Sequence, residues 1–273
     1  MALVVCPTPI GNLEDVTLRA LRELGEADLV LCEDTRRTRV LLDRHGVRAR
    51  LSSFHRHNEA KRTAQLLPRL EAGERIALAS DAGLPGVNDP GARLVAAALE
   101  HDVEVVVLPG PSAVETALVA SGLVGERYTF LGYLPRGKPG LERLWQEARA
   151  WSWPAVAFES PRRLPVSLAS LAEADPSRRV AVCRELTKRF EEVVRGTARE
   201  VAERFRDAPK GEVTVVIGTA PSHPAVESGG PSEAEAAGAV GELVAAGAPR
   251  RDAARVVARL TGIPRNRLYR GSL

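Results

Sequence analysis

Short, unalternated apolar runs recur along this chain, each followed by a polar loop and then by apolar positions at helical spacing. Ile76–Ala79, reading IALA, is the clearest run, and its pattern predicts a parallel strand buried on both faces. Just after Pro90 and Gly91, residues 92–99 carry apolar positions at helical spacing and predict a helix. Between the two lie the eleven residues 81–91, with three glycines, two prolines, two aspartates and one asparagine. An ordinary strand-to-helix connection takes ~2–6 residues. A long polar loop at the carboxyl end of a strand sits where open α/β sheets bind ligands. Its glycines let the backbone come close to a bound molecule, and it opens on the Asp81 carboxylate.

The same order repeats on both sides of this unit. Strands are predicted at 3–6, 29–32, 51–54 and 103–108. Helices are predicted from Thr17, an N-cap, through Leu18, Leu21 and Leu24, then up to His45, over 59–72, and after the turn at 109–112. This alternation predicts an α/β fold with a parallel or mixed sheet covered on both faces. SGLVGER at 121–127 reads as the link to a second unit with strands at 128–131, 155–158, 180–183 and 213–218 and a short one at 192–194. Its helices fall near 142–150, 164–174 and 198–206. Residues 222–238 read as a linker, and the last forty or so as helical. The expected division is therefore 1–121, 122–221 and 222–273.

In the tail, Ala236, Val240, Leu243 and Val244 form one apolar face, with Gly247 placed as a helix stop. A second helix over 250–260 turns Ala253, Val256, Val257 and Leu260 inward, and after Thr261 and Gly262 Pro264 opens a third. Helix, short glycine-containing turn, helix is a helix-turn-helix arrangement. Seven arginines between Arg250 and Arg270 then lie largely on the solvent side.

Composition sharpens this picture. Of the 273 residues 44% are hydrophobic and 27% charged, so a packed core is expected. No apolar run approaches the ~20 residues of a membrane span, and the apolar start is too short for a signal peptide, so a cytoplasmic protein with no membrane segment is expected. Cys6, Cys32 and Cys183 lie far apart in strand-like runs and read as reduced core thiols. The net charge is only +3, but lysine occurs only at 61, 138, 188 and 210, so the positive charge is nearly all arginine, the better residue for phosphate.

Several common chemistries are excluded. Residues 132–139, GYLPRGKP, match seven positions of a phosphate-binding P-loop. Pro139 lacks the hydroxyl for magnesium and Pro135 removes an amide, so Arg136 and Lys138 read as a basic substrate loop. There is no G-x-G-x-x-G for a dinucleotide. His55 and His57 have no cysteine or carboxylate at ligand spacing, and no metal is expected. Ser112 lacks an evident His–Asp pair.

What remains is a set of loops: TPIGNLED (8–15), CEDTRRTR (32–39), SDAGLPGVNDPG (80–91), LPGPSA (108–113), FESPRR (158–163), RELTK (184–188) and APKGEVTVV (208–216). Together they resemble the tetrapyrrole methylase superfamily over essentially the whole chain. SDAG-x-P with ESP-x-R and RELTK resembles its branch acting on small-subunit ribosomal RNA rather than the porphyrin and corrin enzymes. The resemblance implies two unequal α/β domains with S-adenosylmethionine in the cleft between them, a small helical C-terminal domain, and a homodimer. It further implies methyl transfer to a cytidine ribose 2′-oxygen in 16S rRNA, free or in the small ribosomal subunit.

For the cofactor, the resemblance points to Pro9, Val87, Phe158 and Leu186 as apolar surface. Ala82, Gly83, Ser112, Ala113 and Thr214 would be small or polar contacts, and Asp81 a partner for a cationic or hydroxyl group. Transfer to a hydroxyl needs in-line geometry and removal of a weakly acidic proton. Glu159, Glu185 and Lys188 are the catalytic candidates, with Glu33 and Asp34 also at strand ends. Lys188 would need a lowered pKa to act as a base. The alternative for the carboxylates is structural pairing with Arg36, Arg37, Arg162 or Arg184. RNA contacts are expected from Arg36, Arg37, Arg136, Lys138 and Arg162. Two rival readings stay open: a porphyrin- or corrin-type methylase, and a non-catalytic RNA-binding protein.

Overall fold

A computed structural model describes residues 2–220, 233–261 and 263–272. The first half runs β1 (Ala2–Cys6), α1 (Leu18–Glu26), β2 (Leu29–Cys32), α2 (Thr35–Arg44), β3 (Leu51–Ser53), α3 (Glu59–Glu71), β4 (Ile76–Ala79), α4 (Ala92–Glu100), β5 (Glu104–Val107) and α5 (Ala113–Ser121). Its five strands are all parallel in the order β3-β2-β4-β1-β5. The unalternated apolar runs are the central strands: every residue of β2 and β4 is buried, while edge strand β5 is half exposed. Helix starts follow side-chain chemistry. Thr17 Oγ1 accepts the Ala20 N–H at 3.0 Å, and the Asp34 carboxylate accepts the Arg36 N–H at 2.9 Å.

The second half runs β6 (Thr129–Tyr133), α6 (Lys138–Ala148), β7 (Ala155–Glu159), α7 (Leu164–Ala174), β8 (Arg179–Arg184), β9 (Glu192–Thr197), α8 (Ala198–Arg204) and β10 (Val213–Ile217). Its sheet is mixed, in the order β6-β7-β10-β8-β9, with β10 antiparallel to both neighbours. Helix α6 begins at Lys138, four residues before the expected start. Gly137 takes the extended N-cap conformation and Pro139 fits the first turn. Lys138 is thus a helix residue rather than a loop residue. The short strand expected at 192–194 extends to Thr197, paired along its whole length with β8.

Residues Met1–Ala220 form one compact unit. Helix α5 belongs in sequence to the first half, yet it packs on the second sheet. Val114, Ala117 and Leu118 meet Val156, Ala181 and Val216, and Ile10 and Leu186 join the same cluster. The Arg195 Nε–H donates to the carbonyls of Ala120 and Ser121, both at 3.1 Å. Arg178 is 1% exposed and acts as a polar staple. It pairs with Asp175 at 2.9 Å and donates to the carbonyls of Ala148 at 3.0 Å and Gly218 at 3.3 Å.

The second compact unit holds α9 (Glu233–Ala245), α10 (Arg250–Thr261) and α11 (Arg265–Gly271) around Ala236, Val240, Ala253, Ala254, Val257 and Leu268. Helix α9 starts inside the stretch expected to be linker; positions 221–232 and Gly262 of the expected turn lie outside the described residues. Three residues expected inward face out instead: Leu243, Val256 and Leu260. Ala237 and Ala254 take their place, because small side chains let the helices approach closely. The tail arginines beyond Arg250 are exposed, and Arg250 donates to the Ser272 hydroxyl at 3.2 Å.

Candidate active site

Parallel strands deliver their loops to one edge, and here the adjacent strands β4, β1 and β5 do so together. The loop after β4 is tied to that after β1 by a reciprocal backbone pair, Thr8 to Gly83 and Gly83 to Thr8, both 2.9 Å. Gly83 has φ +78, and a Cβ there would point at the Pro111 carbonyl and Ile10 Cγ2, 3.7 and 3.8 Å away. These loops line a cavity of about 980 Å³. The second sheet supplies the facing wall. The register of β7, β10 and β8 sets Phe158, Thr214 and Cys183 side by side on one face, and all three line the cavity. Phe130 and Tyr133 stand edge-on to Phe158, with ring centroids 5.1 and 5.7 Å away. Burial pushes the Cys183 thiol up to about 11, so it stays neutral.

Most charged groups at the cavity are already engaged. Asp81 accepts the Asp34 N–H at 3.0 Å and pairs with Arg37 at 3.4 Å. Burial opposes the charge of Glu115, but bonds from the Ser112 hydroxyl and from Tyr128 at 2.5 Å leave its pKa lowered. Glu159 is 2% exposed and accepts the Ser160 N–H at 2.6 Å and the Ser167 hydroxyl at 2.5 Å, while pairing with Arg163. Arg163 in turn donates to the Leu134 and Pro135 carbonyls at 3.4 Å, tying the loops after β6 and β7 together. Glu33 and Asp89 stand differently. Burial, reinforced by Asp81, raises Glu33; burial, with Glu33 and Asp81 behind it, raises Asp89 to about 7.

The sequence-derived cofactor set converges here: Asp81, Ala82, Gly83, Val87, Ser112, Ala113, Phe158, Leu186 and Thr214 all line the cavity. Pro9 does not; it is buried beside the Thr8–Gly83 pairing. Of the catalytic candidates Glu159 and Glu33 reach the lining, while Asp34 does not. Glu185 and Lys188 lie outside it, bonded to each other at 2.9 Å, with Lys188 also 2.9 Å from Glu212. Burial opposes the Lys188 charge, but those two carboxylates outweigh it and raise its pKa, opposite to what a base needs. That segment is held by an unusual backbone: Glu185 and Thr187 have φ of +52 and +64, bracketing Leu186, which enters the cavity.

Of the arginines, Arg37 lines the cavity. Arg36 is exposed but binds Asp34 through Nε and Nη2 at 3.1 and 3.0 Å, which holds the Asp34 carboxyl down at about 2. Arg136 and Arg162 are exposed in the loops that Arg163 joins, beside the cavity residues Tyr133 and Pro161. Sequence reasoning missed Asp89, which no local pattern marks, and Arg56, whose Nη2 donates to the Asn88 carbonyl at 3.3 Å. Among the described residues no group of three histidines, cysteines or carboxylates could hold a metal ion.

Residues 2–202 match the family described as Tetrapyrrole (Corrin/Porphyrin) Methylases, and residues 230–271 match the RsmI C-terminal HTH domain. The chain is 44% identical to a ribosomal RNA small subunit methyltransferase I of Mesorhizobium japonicum, over 98% of this chain and 90% of that one. It is also 44% identical to that of Thermotoga maritima, over 79% of this chain and 97% of the relative. Among solved structures, diphthine synthase superposes with a TM-score of 0.63 at 16% identity, over 80% of this chain and 90% of its own. Uroporphyrin-III C-methyl transferase from Thermus thermophilus, complexed with S-adenyl homocysteine, gives 0.55 at 22% identity, over 80% and 97%.

Proposed function

The chain belongs to the ribosomal RNA small subunit methyltransferase I family of tetrapyrrole methylases, and on that premise we propose that it carries the methyl group of S-adenosylmethionine to the 2′-oxygen of a cytidine ribose in 16S rRNA. The observation that carries this reading is the cavity itself, walled on one side by the glycine-rich loops and on the other by the Phe158–Thr214–Cys183 row. Its volume, about 980 Å³, falls within the ~300–1,000 Å³ of small-molecule sites.

The residues present fit the cofactor. At Gly83 a side chain would grow toward Ile10 and the 109–111 loop, so the missing Cβ keeps that space open for a ligand. Ala82, Gly83, Ser112 and Ala113 would hold its polar edges, and Val87, Phe158, Leu186 and Thr214 its apolar surface. Bound there, S-adenosylmethionine supplies an electrophilic methyl group on a sulfonium. The protein's part is to exclude water, to set the ribose oxygen in line with that methyl, and to receive the hydroxyl proton. Arg37 lines the cavity, and Arg136 and Arg162 are exposed in the loops that contribute Tyr133 and Pro161 to it; the three would meet an RNA backbone entering the cavity, where charge neutralisation of phosphate dominates binding. Exposed tail arginines extend the same chemistry.

The proposal includes a homodimer working in the cytoplasm. Val107 on edge strand β5 is 53% exposed and Val119 on α5 71%, apolar surface that a second copy would cover. No helix among the described residues is long and apolar enough to cross a membrane. Light scattering should give twice the mass of one chain.

Calorimetry with S-adenosylmethionine, followed by labelled-methyl transfer to small ribosomal subunits and to a porphyrin, tests the reading. Cofactor binding with label in the RNA is the expected result. RNA binding without cofactor binding would make this a non-catalytic RNA-binding protein, and label in the porphyrin would make it a macrocycle methylase.

A further inference from the structure

The carboxylates facing the cavity fall into two groups. Asp81, Glu115, Glu159 and Glu212 are each held by hydrogen bonds or ion pairs with the protein. Glu33 and Asp89 line the same cavity and have no hydrogen bond or ion pair among the described residues. A side chain whose polar atoms are already satisfied supports the fold; one left open into a ligand cavity is available to substrate. Asp89 comes from the loop after β4, between Val87 and the turn at Gly91, whose N–H donates to Glu59 at 2.9 Å. Arg56 grips the neighbouring Asn88 carbonyl, so the loop is fixed on both sides of a carboxylate that is itself free.

We propose that Asp89 is the general base of the methyl transfer, with Glu33, the other unpaired carboxylate of the cavity lining, as its positioning residue. This assignment rests on the ribose methylation proposed above. In the step, the ribose O–H gives its proton to an Asp89 carboxylate oxygen while the oxygen forms a bond to the methyl carbon. The carbon–sulfur bond breaks with its electron pair left on sulfur, which discharges the sulfonium. Asp89 then returns the proton to solvent. The groups facing Asp89 are Glu33 after β2, Asp81 after β4 and Arg56 after β3; burial and the two carboxylates raise it to about 7, with Arg56 opposing them. Glu33 in turn is opposed by Arg56, His55 and Arg37. A base with a pKa near the working pH combines a large deprotonated fraction with proton affinity, a combination that Glu185 and Glu115, with lowered values, do not offer.

The test uses the full chain, small ribosomal subunits and single-turnover conditions. Asp89→Asn should slow methyl transfer by ~10²–10⁴, the range of a lost general base. Its affinity for S-adenosylmethionine, read by calorimetry, should be unchanged. The wild-type rate should rise with pH to a plateau with a midpoint of about 7. Asp89→Asn should lack that rise, and Glu33→Gln should move it to lower pH, because a negative neighbour has been removed. A readout independent of activity is the melting temperature. An aspartate raised in the folded state favours folding below its unfolded pKa of ~3.9, and that contribution is lost as pH climbs through the folded value. Asp89→Asn should therefore match the wild type at pH 4 and melt higher at pH 8. A wild-type rate or an intact acid limb in Asp89→Asn overturns the assignment, as does a cofactor affinity that falls with the rate, or a melting difference independent of pH. If the wild-type enzyme puts no methyl on ribosomal RNA, the underlying reading falls first and takes Asp89's role with it.

Discussion

Gly83 and Lys188 separate the residues that shape the cavity from those that hold its frame. Replacing Gly83 with Leu forces φ +78 on a residue with a Cβ and drives a side chain toward Ile10 across the ligand space. Cofactor binding should be abolished in a protein that still folds; unchanged affinity in calorimetry would remove the loop from the site. Lys188→Met should do the reverse. It strips two carboxylates of their cation, so the protein should lose ~1–3 kcal/mol of stability by denaturant titration. The shape of its pH–rate profile should not change, because Lys188 lies outside the cavity. The residue types of the loop after β4 were legible in the sequence, since glycines and prolines in a polar stretch after a strand have a local meaning. Asp89 was not, because what distinguishes it is the lack of a partner among the described residues, and the groups around it come from its own loop and two others. Glu159 looked catalytic for the same reason: its partner Ser167 is eight residues away on the next helix.

At the scale of elements, strands were the readable part. Four-residue apolar runs such as Ile76–Ala79 need burial on both faces, and the sheet provides it. Helix faces in the tail were less readable, because α10 has more apolar positions than its buried stripe can hold, and alanines decided which were used. Nor did any sequence pattern reveal Arg178, which joins the ends of α6 and β10 through their carbonyls and that of α7 through the Asp175 carboxylate. Arg178→Ala leaves those groups unpaired in the interior and should cost ~3–5 kcal/mol in chemical denaturation. The loops after β6 and β7 make a different prediction. Alanine at Arg136 and Arg162 should flatten the salt dependence of RNA binding by ~0.7–0.9 log units per lost phosphate contact, with cofactor affinity unchanged. A loss of cofactor binding instead would place those arginines on the ligand side.

For the whole molecule, connectivity and packing divide the chain differently. The break near residue 121 is visible in the order of elements, yet α5 crosses it to pack on the second sheet, so residues 1–220 form one unit and the tail another. Deleting 232–273 should therefore leave cofactor binding intact while cutting methylation of small subunits by ~10-fold or more, the loss of at least ~1.4 kcal/mol of RNA contacts. Full activity in the truncated enzyme would leave the arginine-rich helices without a part in recognition. The proposed acceptor is the 2′-oxygen of a cytidine ribose, and nucleoside mass spectrometry reads the methylated atom. Small ribosomal subunits treated with the enzyme and isotopically labelled S-adenosylmethionine should yield label only in 2′-O-methylcytidine after digestion. Label on a base, or on the ribose of another nucleoside, would contradict the account.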